Sequence, residues 1–461
     1  MSGGDPQLDK SLGYKLPDPI TKSASILDSG INMELIKADI KQHEERLQRY
    51  EYLENLYKGF HDILNSPDKE SWKPDNRLVV NFPKYITDTF IGYAYGIPIK
   101  ISHEDDKITE AIKNFNDSNE ITDHDSEMVK LCCEFGHAFE YLYQNEDSET
   151  KITPMSPKNL FCVYDDSIRN SALFAVRYGN IKVDDKDVMS GEILTRETIY
   201  NFIKDNITEE RPNPYGYIPV VEWRMNTERM GLYETVAGLT ETYNRVLAEK
   251  ANDVDAFADV YLAVLGAELD EEGVYKIRDN RIINIYGTDN AKDVLVSFLQ
   301  KPTADGTQEN LLNRLERLIF QVTMVADISD DSFGSATSGV ALAYKLQAMN
   351  NLAKMFDRKI EKSLKKRYKI FCSLGTNVSD AEAYKSIELQ FSRNVPKNLT
   401  EEADIVTKLS GLLSRESLFK LLSVIDDPQK EIERIEKEEG TSQDKVLQAS
   451  FFNGQEPKEG E

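Results

Sequence analysis

Apolar residues step by three and four along two long stretches near the middle of the chain. In 308–325 the rhythm is carried by Leu311, Leu315, Leu318, Val322 and Val325. In 340–370 it is carried by Leu342, Leu346, Met349, Ala353, Phe356, Ile360 and Leu364. That spacing predicts two amphipathic helices. Between them, 326–339 (ADISDDSFGSATSG) has little apolar content beyond Ile328 and Phe333 and holds Asp327, Asp330 and Asp331. It reads as a wet, mobile loop held out by two helices, which suggests a mechanical part.

The same reading organises the rest of the chain. A helix is expected from Met33 to Tyr57, ended by Gly59. Residues 76–101 begin with a short β-prone run, followed by an apolar helix that Gly96 and Pro98 stop. Residues 107–135 read as helical. From 136 to 225 the pattern changes to short strands: HAFEYLY, LFCVYDD, LFAVRYG, TIYNFIK and IPVVEWR. A long helix returns over 231–258, its apolar stripe interrupted by Lys250. Residues 259–304 hold the strand candidates VYLAVLG, RIINIYG and VLVSFL, so a small β-rich insert sits between two helices that can run antiparallel. Helices then start at Thr400, Ser414 and Asp427–Pro428. Residues 1–26 and 441–461 read as a disordered arm and an acidic tail. The expected fold class is α+β, mainly α.

Composition narrows the function. The chain has 461 residues, 40% hydrophobic, enough for two to four packed units. Its longest apolar run, Val260 to Leu265, falls far short of the ~20 residues that span a bilayer, and the N-terminus lacks a signal-peptide pattern. A soluble, intracellular protein without membrane partners is expected. Cys132 and Cys133 are adjacent and Cys162 and Cys372 isolated, which suggests buried thiols. The net charge of −24 argues against static binding of nucleic acid over a large surface, although DNA could slide past an acidic wall.

Catalytic patterns are missing. GSATSG (334–339) has the glycine frame of a phosphate loop, but Val340 stands where lysine belongs, and a loop whose Ser338 caps the next helix explains it better. His43, His61, His103, His124 and His137 lack metal spacing, and His137 reads as a core or turn residue. Asp165–Asp166 and Asp184–Asp185 read as turns. No enzyme, cofactor or metal is expected. One segment stands out: 354–369 (KMFDRKIEKSLKKRYK) carries eight basic and two acidic side chains. Lys362, Lys365, Lys366 and Arg367 could contact nucleic acid or an acidic neighbouring subunit, or form a solvated helix end.

Five stretches together resemble the portal (head-to-tail connector) proteins of long-tailed double-stranded DNA bacteriophages. They are YKGFHDIL (57–64), NRLVVNFPKYITDTFIGYAYGIPI (76–99), FCVYDDSIRNSALFAVRYG (161–179), YIPVVEWRMNTERMGLYETVAGLTETYN (217–244) and SATSGVALAYKLQAM (335–349). LSRESLFKLLSVIDDPQKEIERIEKEE (413–439) also looks like the family's C-terminal helices. The resemblance implies a portal fold. Its parts would be an N-terminal arm over 1–26, a wing over 27–230, and stem helices over 231–258 and 305–325. A clip over 259–304, a tunnel loop over 326–338, a long helix returning to the wing over 339–399, a crown over 400–440 and a tail over 441–461 would complete it.

It implies a homo-oligomeric ring, usually of twelve subunits, at one capsid vertex, assembled in the host bacterial cytoplasm and carried in the virion. Double-stranded DNA would pass through it in packaging and ejection. The terminase large subunit, the head–tail adaptor, and the major capsid and scaffolding proteins would be its partners. Asp327, Asp330, Asp331, Ser332, Phe333, Ser335 and Thr337 would line the tunnel. Glu268, Asp270, Glu271 and Glu272 of the clip would dock the partner. The competing expectation is a soluble helical scaffold or adaptor that binds protein partners only.

Overall fold

The computed structural model describes residues 19–27, 30–71, 73–257, 262–265, 295–298, 305–328, 339–395, 399–422, 424–425 and 428–438. They form a mixed structure of helix and strand, about half helical. The chain divides into two compact units, residues 1–328 with 346–393, and residues 329–345 with 394–461.

The first unit is built on β-sheet. Strands β1 (Ile20–Lys22), β2 (Lys100–Ser102), β3 (His137–Gln144), β4 (Thr150–Met155), β5 (Leu160–Asp165), β6 (Ala172–Val183), β7 (Lys186–Leu194), β8 (Thr198–Ile203), β9 (Asn206–Pro212), β10 (Val220–Arg224), β11 (Leu262–Leu265), β12 (Leu295–Phe298) and β13 (Glu388–Gln390) occur in that order. A six-stranded sheet has the order β1-β5-β6-β7-β8-β9, and a three-stranded sheet the order β10-β3-β4. Alternation along β5 explains how the large sheet is covered. Phe161 and Val163 join a cluster with Ile36, Ile40 and Phe174, while Leu160, Cys162 and Tyr164 join one with Phe139, Tyr141 and Val220. Both faces are buried, which is why this strand reads as a continuous apolar run.

Strand β1 corrects the expectation of a disordered arm through residue 26. It pairs in parallel with Val163–Asp165, Ile20 is fully buried, and Lys22 binds Asp39 at 2.6 Å. A three-residue strand is too short to leave a periodic signal.

The helices of this unit are α1 (Met33–Glu44), α2 (Leu47–Lys58), α3 (Phe82–Ala94), α4 (Asp106–Ser118), α5 (Ile121–Phe135), α6 (Ala237–Phe257) and α7 (Asp305–Thr323). The helix expected over 33–57 is thus two. His43 is fixed to Tyr178 and Pro157, while Arg49 is fixed to Glu234, so the flanking segments are held by different partners. Gly59 ends α2 at φ 86°, as expected. The helix expected over 107–135 breaks where Glu120 takes a left-handed conformation. Residues 76–80 form no strand. Asn76 N donates to Asn252 Oδ1 at 2.6 Å and Val80 N to Asn244 Oδ1 at 2.8 Å, so side chains of α6 take the donors that a sheet would use.

Helix α8 (Gly339–Lys345) belongs to the second unit and α9 (Gln347–Cys372) to the first, with Leu346 between them. Of the stripe expected over this stretch, Leu346, Met349, Ala353, Phe356, Ile360 and Leu364 are buried and Leu342 is half-buried. All four cysteines are buried and free. In the second unit, α10 spans Leu399–Leu409 and α11 spans Arg415–Phe419, with Ser414 Oγ accepting from Ser417 N at 3.3 Å. A last helix covers residues 428–438.

Candidate nucleic-acid and partner interface

Helices α6 and α7 pack side by side. Lys250, which interrupts the α6 stripe, pairs with Glu309, and Gln308 Nε2 donates to Asp253 Oδ2 at 3.1 Å. These contacts join the end of α6 to the start of α7. At the other end, Phe82 of α3 meets Tyr243 edge-on at 4.9 Å and Phe320 at 5.9 Å. The pair is therefore antiparallel, as the sequence suggests. Between them, β11 and β12 form an antiparallel ribbon with Leu262 opposite Phe298 and Leu265 opposite Leu295. The strand candidate RIINIYG and the acids Glu268, Asp270, Glu271 and Glu272 lie outside the described residues.

The buried face of α7 differs from the expected stripe. Leu312, Leu315, Ile319 and Thr323 are buried, while Leu311 is 42% and Val322 49% exposed. The helix is turned so that Phe320 reaches the ring cluster of Phe82 and Tyr85. Leu311 and Val322 on α7 and Val254 on α6 are left exposed.

Of the loop residues, Asp327 is described: Tyr85 O–H donates to its Oδ1 at 3.5 Å. Burial, and then the charge of Asp327, raise the carboxyl pKa of Glu316. Asp330, Asp331, Ser332, Phe333, Ser335 and Thr337 lie outside the described residues, as does the expected cap Ser338.

The basic helix is α9, and its cations have separate fates. Arg367 is fully buried, with Nε 2.7 Å from Glu140 Oε1 and Nη2 2.6 Å from Asp125 Oδ1, and its guanidinium lies over Trp223 at 5.2 Å. This corrects the expectation for Arg367, whose charge is consumed inside the subunit. Lys366 Nζ donates to Val220 O at 3.0 Å, and burial lowers its pKa. Lys365 pairs with Glu361 one turn away at 2.7 Å. Lys362 is exposed.

Two further buried ion pairs converge on the segment 222–234, which runs from β10 toward α6. Arg49 Nε donates to Glu234 Oε1 at 2.7 Å, and its Nη2 also reaches Arg229 O at 2.9 Å. Glu222 accepts from Arg229 Nε at 2.7 Å and is bound by Arg224, Tyr164 and His137. Burial opposes its charge, yet His137 and the two arginines hold it well below the usual carboxylate range. Gly136 shows how tight this junction is: a Cβ there would lie 2.1 Å from Arg229 O, and its φ of 83° is left-handed.

The histidines are structural. Burial pushes the pKa of His43 down to about 3 and that of His137 down to about 4. Among the described residues no group of three potential metal ligands occurs. Both folded values lie below the ordinary 6.5, so the unfolded chain takes up protons that the fold refuses. Stability is fully present above pH 6.5 and is lost as the pH falls through 6.5 toward 4. Glu134, raised by burial to about 7, acts in the opposite sense over 7 to 4.5. Each histidine should therefore cost about 2–3 kcal/mol at pH 4.5. Urea midpoints of His137→Gln and the parent at pH 7 and 4.5 isolate one term: the variant should lose about that much less on acidification. An equal loss would show that His137 is not held neutral.

The sequence pattern of the family described as "Phage portal protein, SPP1 Gp6-like" matches residues 36–445. A portal protein of Bacillus phage SPP1 is 22% identical over 417 residues, covering 84% of this chain and 80% of the relative. A portal protein of Clostridium phage phiCD119 is 23% identical over 450 residues, covering 90% and 96%. A chain in a structure titled "Neck of empty GTA particle computed with C6 symmetry" aligns with a TM-score of 0.43 and 12% identity, covering 74% of this chain and 90% of its own. Portal proteins are structural virion components of bacteriophages, connecting head to tail, and not enzymes. With the family pattern running through nearly all of the described helices and sheets, the chain belongs to the SPP1 Gp6-like family of phage portal proteins.

Proposed function

We propose that copies of this chain close a ring at one vertex of the phage head, and that double-stranded DNA enters and leaves through its central channel. The observation that carries this reading is the antiparallel pair α6 and α7. It covers one apolar face internally and leaves Leu311, Val322 and Val254 outside, where a neighbouring copy can cover them. Residues 231–258 and 305–325 then act as the stem. The ribbon of β11 and β12 within 259–304 is the clip. Residues 326–338 form the tunnel loop, 27–230 and 339–399 the wing, and 400–440 the crown. Assembly takes place in the host cytoplasm with the major capsid and scaffolding proteins.

The clip is the docking site for the terminase motor during packaging and for the head–tail adaptor afterwards. Reversing the charges of Glu268, Asp270, Glu271 and Glu272 should weaken motor binding by about tenfold or more while leaving rings intact. Pull-down of the terminase large subunit, with electron microscopy of the same preparation, checks both parts. Rings that fall apart would instead assign these acids to the contact between subunits.

A further inference from the structure

The cations of α9 do not stand alone. They share a cavity of about 560 Å3 with residues of the turns that join β5 to β6 and β7 to β8. Those turns contribute Arg169 and Arg196, and α9 contributes Lys359, Lys362, Lys366 and Lys369. Arg224 and Lys365 also line it but are paired with Glu222 and Glu361. Glu222 is the one carboxylate among the described lining residues, and it is engaged by Arg224, Arg229, Tyr164 and His137.

Among the described residues, the six remaining cations form no ion pair with a carboxylate. Lys359 donates to Thr227 Oγ1 at 3.0 Å, and Lys366 to Val220 O at 3.0 Å. Lys369 lies over Tyr217 at 4.7 Å and Tyr384 at 5.6 Å. Among the described residues, the side chains of Arg169, Arg196 and Lys362 make no hydrogen bond or ion pair. Like charges gathered around one concavity repel, and a wall that buries part of Lys366 weakens screening by water. A second cavity, about 920 Å3, has mainly acids among its charged lining: Asp88, Asp117, Glu120, Asp123 and Glu127 against Lys130. In a chain with 80 acidic and 56 basic residues, a concavity whose charged lining is eight cations and one carboxylate attracts a counter-charge.

The chemistry of the lining favours phosphate over carboxylate. A phosphate group concentrates up to two charges and several acceptor oxygens at one point, which suits converging lysines and arginine forks. An acidic peptide brings one charge per side chain, and the cavity is the size of a small-ligand pocket, too small for a folded acidic surface. We propose that this cavity between α9 and the β5–β6 and β7–β8 turns is a binding site for a phosphate-bearing ligand. Arg169, Arg196, Lys359, Lys362, Lys366 and Lys369 hold it. The phosphate can come from a free polyphosphate or nucleotide, or from the backbone of a nucleic acid.

Calorimetric titration of the assembled full chain tests this with three probes: tripolyphosphate, a single-stranded oligonucleotide and an oligoglutamate peptide. Saturable tripolyphosphate binding that weakens with salt is expected. Lys362→Gln with Arg196→Gln, two exposed positions, should reduce it at least tenfold, whereas Lys385→Gln outside the cavity should not. Arg196→Gln alone serves if the double variant fails to assemble. Oligonucleotide binding that tripolyphosphate displaces would name nucleic acid as the source, and tripolyphosphate binding alone a free phosphate. Binding of the peptide but neither phosphate probe would overturn the proposal, as would phosphate binding unchanged in the variants.

Discussion

Arg367→Met should be among the most damaging single substitutions in this protein, and its damage should appear as instability rather than as lost contact with DNA. The guanidinium is fully buried against Glu140 and Asp125 and stacked on Trp223. Charge on Arg367 and the hydrogen bond from His124 hold Glu140 at about 2 against the effect of burial. Removing the arginine leaves a buried carboxylate whose remaining partner is His124, at 2.8 Å. Breaking such a pair from one side costs about 3–5 kcal/mol. Replacing Glu140 with leucine in the same chain should recover much of that, because the uncompensated charge is gone. Denaturant midpoints of the two single variants and the double variant measure it. Lys365→Gln, on an exposed pair, should stay within about 0.5 kcal/mol of the parent. An Arg367→Met protein as stable as the parent yet defective in packaging would return Arg367 to the DNA path.

The second large effect belongs to the loop. Around a ring, Asp327, Asp330 and Asp331 would present a collar of negative charge to a polymer carrying one charge per ~1.7 Å of axis. Such a collar repels DNA and does not grip it. Changing all three aspartates to lysine replaces repulsion with phosphate contacts that must be broken at each step, and packaged DNA should fall by about tenfold or more. DNA protected from nuclease in assembled heads is the readout. Normal packaging by the triple variant would show that the loop does not line the path. Deleting 329–336 should leave rings that form and package poorly.

What the sequence shows clearly is what repeats. The stripe along α9 continues for several turns and lies in the core as expected, because a wrong phase would expose it all. The strands β3, β5, β6, β8 and β10 are rich in aromatic and branched residues and stand out equally. Strands β7 and β9 do not: Lys186, Asp187, Glu209, Glu210 and Arg211 give them a polar character, and their place in the sheet comes from pairing with β6 and β8. The break at Glu120 lacks a glycine or proline to announce it. On α7 the rhythm of three and four was legible, but two apolar faces compete there, and the aromatic cluster around Phe82 decides which one turns inward. The ion pairs were illegible for a simpler reason. Arg49 and Glu234 lie 185 positions apart, and Arg367 and Glu140 227, so only the fold brings them together. Arg169 and Arg196 are likewise far from α9 in sequence, and the fold brings them to one cavity with it.

The most direct measurement is the size and shape of the purified full chain in solution, by light scattering and negative-stain electron microscopy across salt and protein concentration. A closed ring with a central hole is predicted, near 630 kDa if twelve subunits of 52.5 kDa close it. Low salt should weaken it, because highly charged subunits repel unless ions screen them. A monomer at every salt and protein concentration would contradict the account.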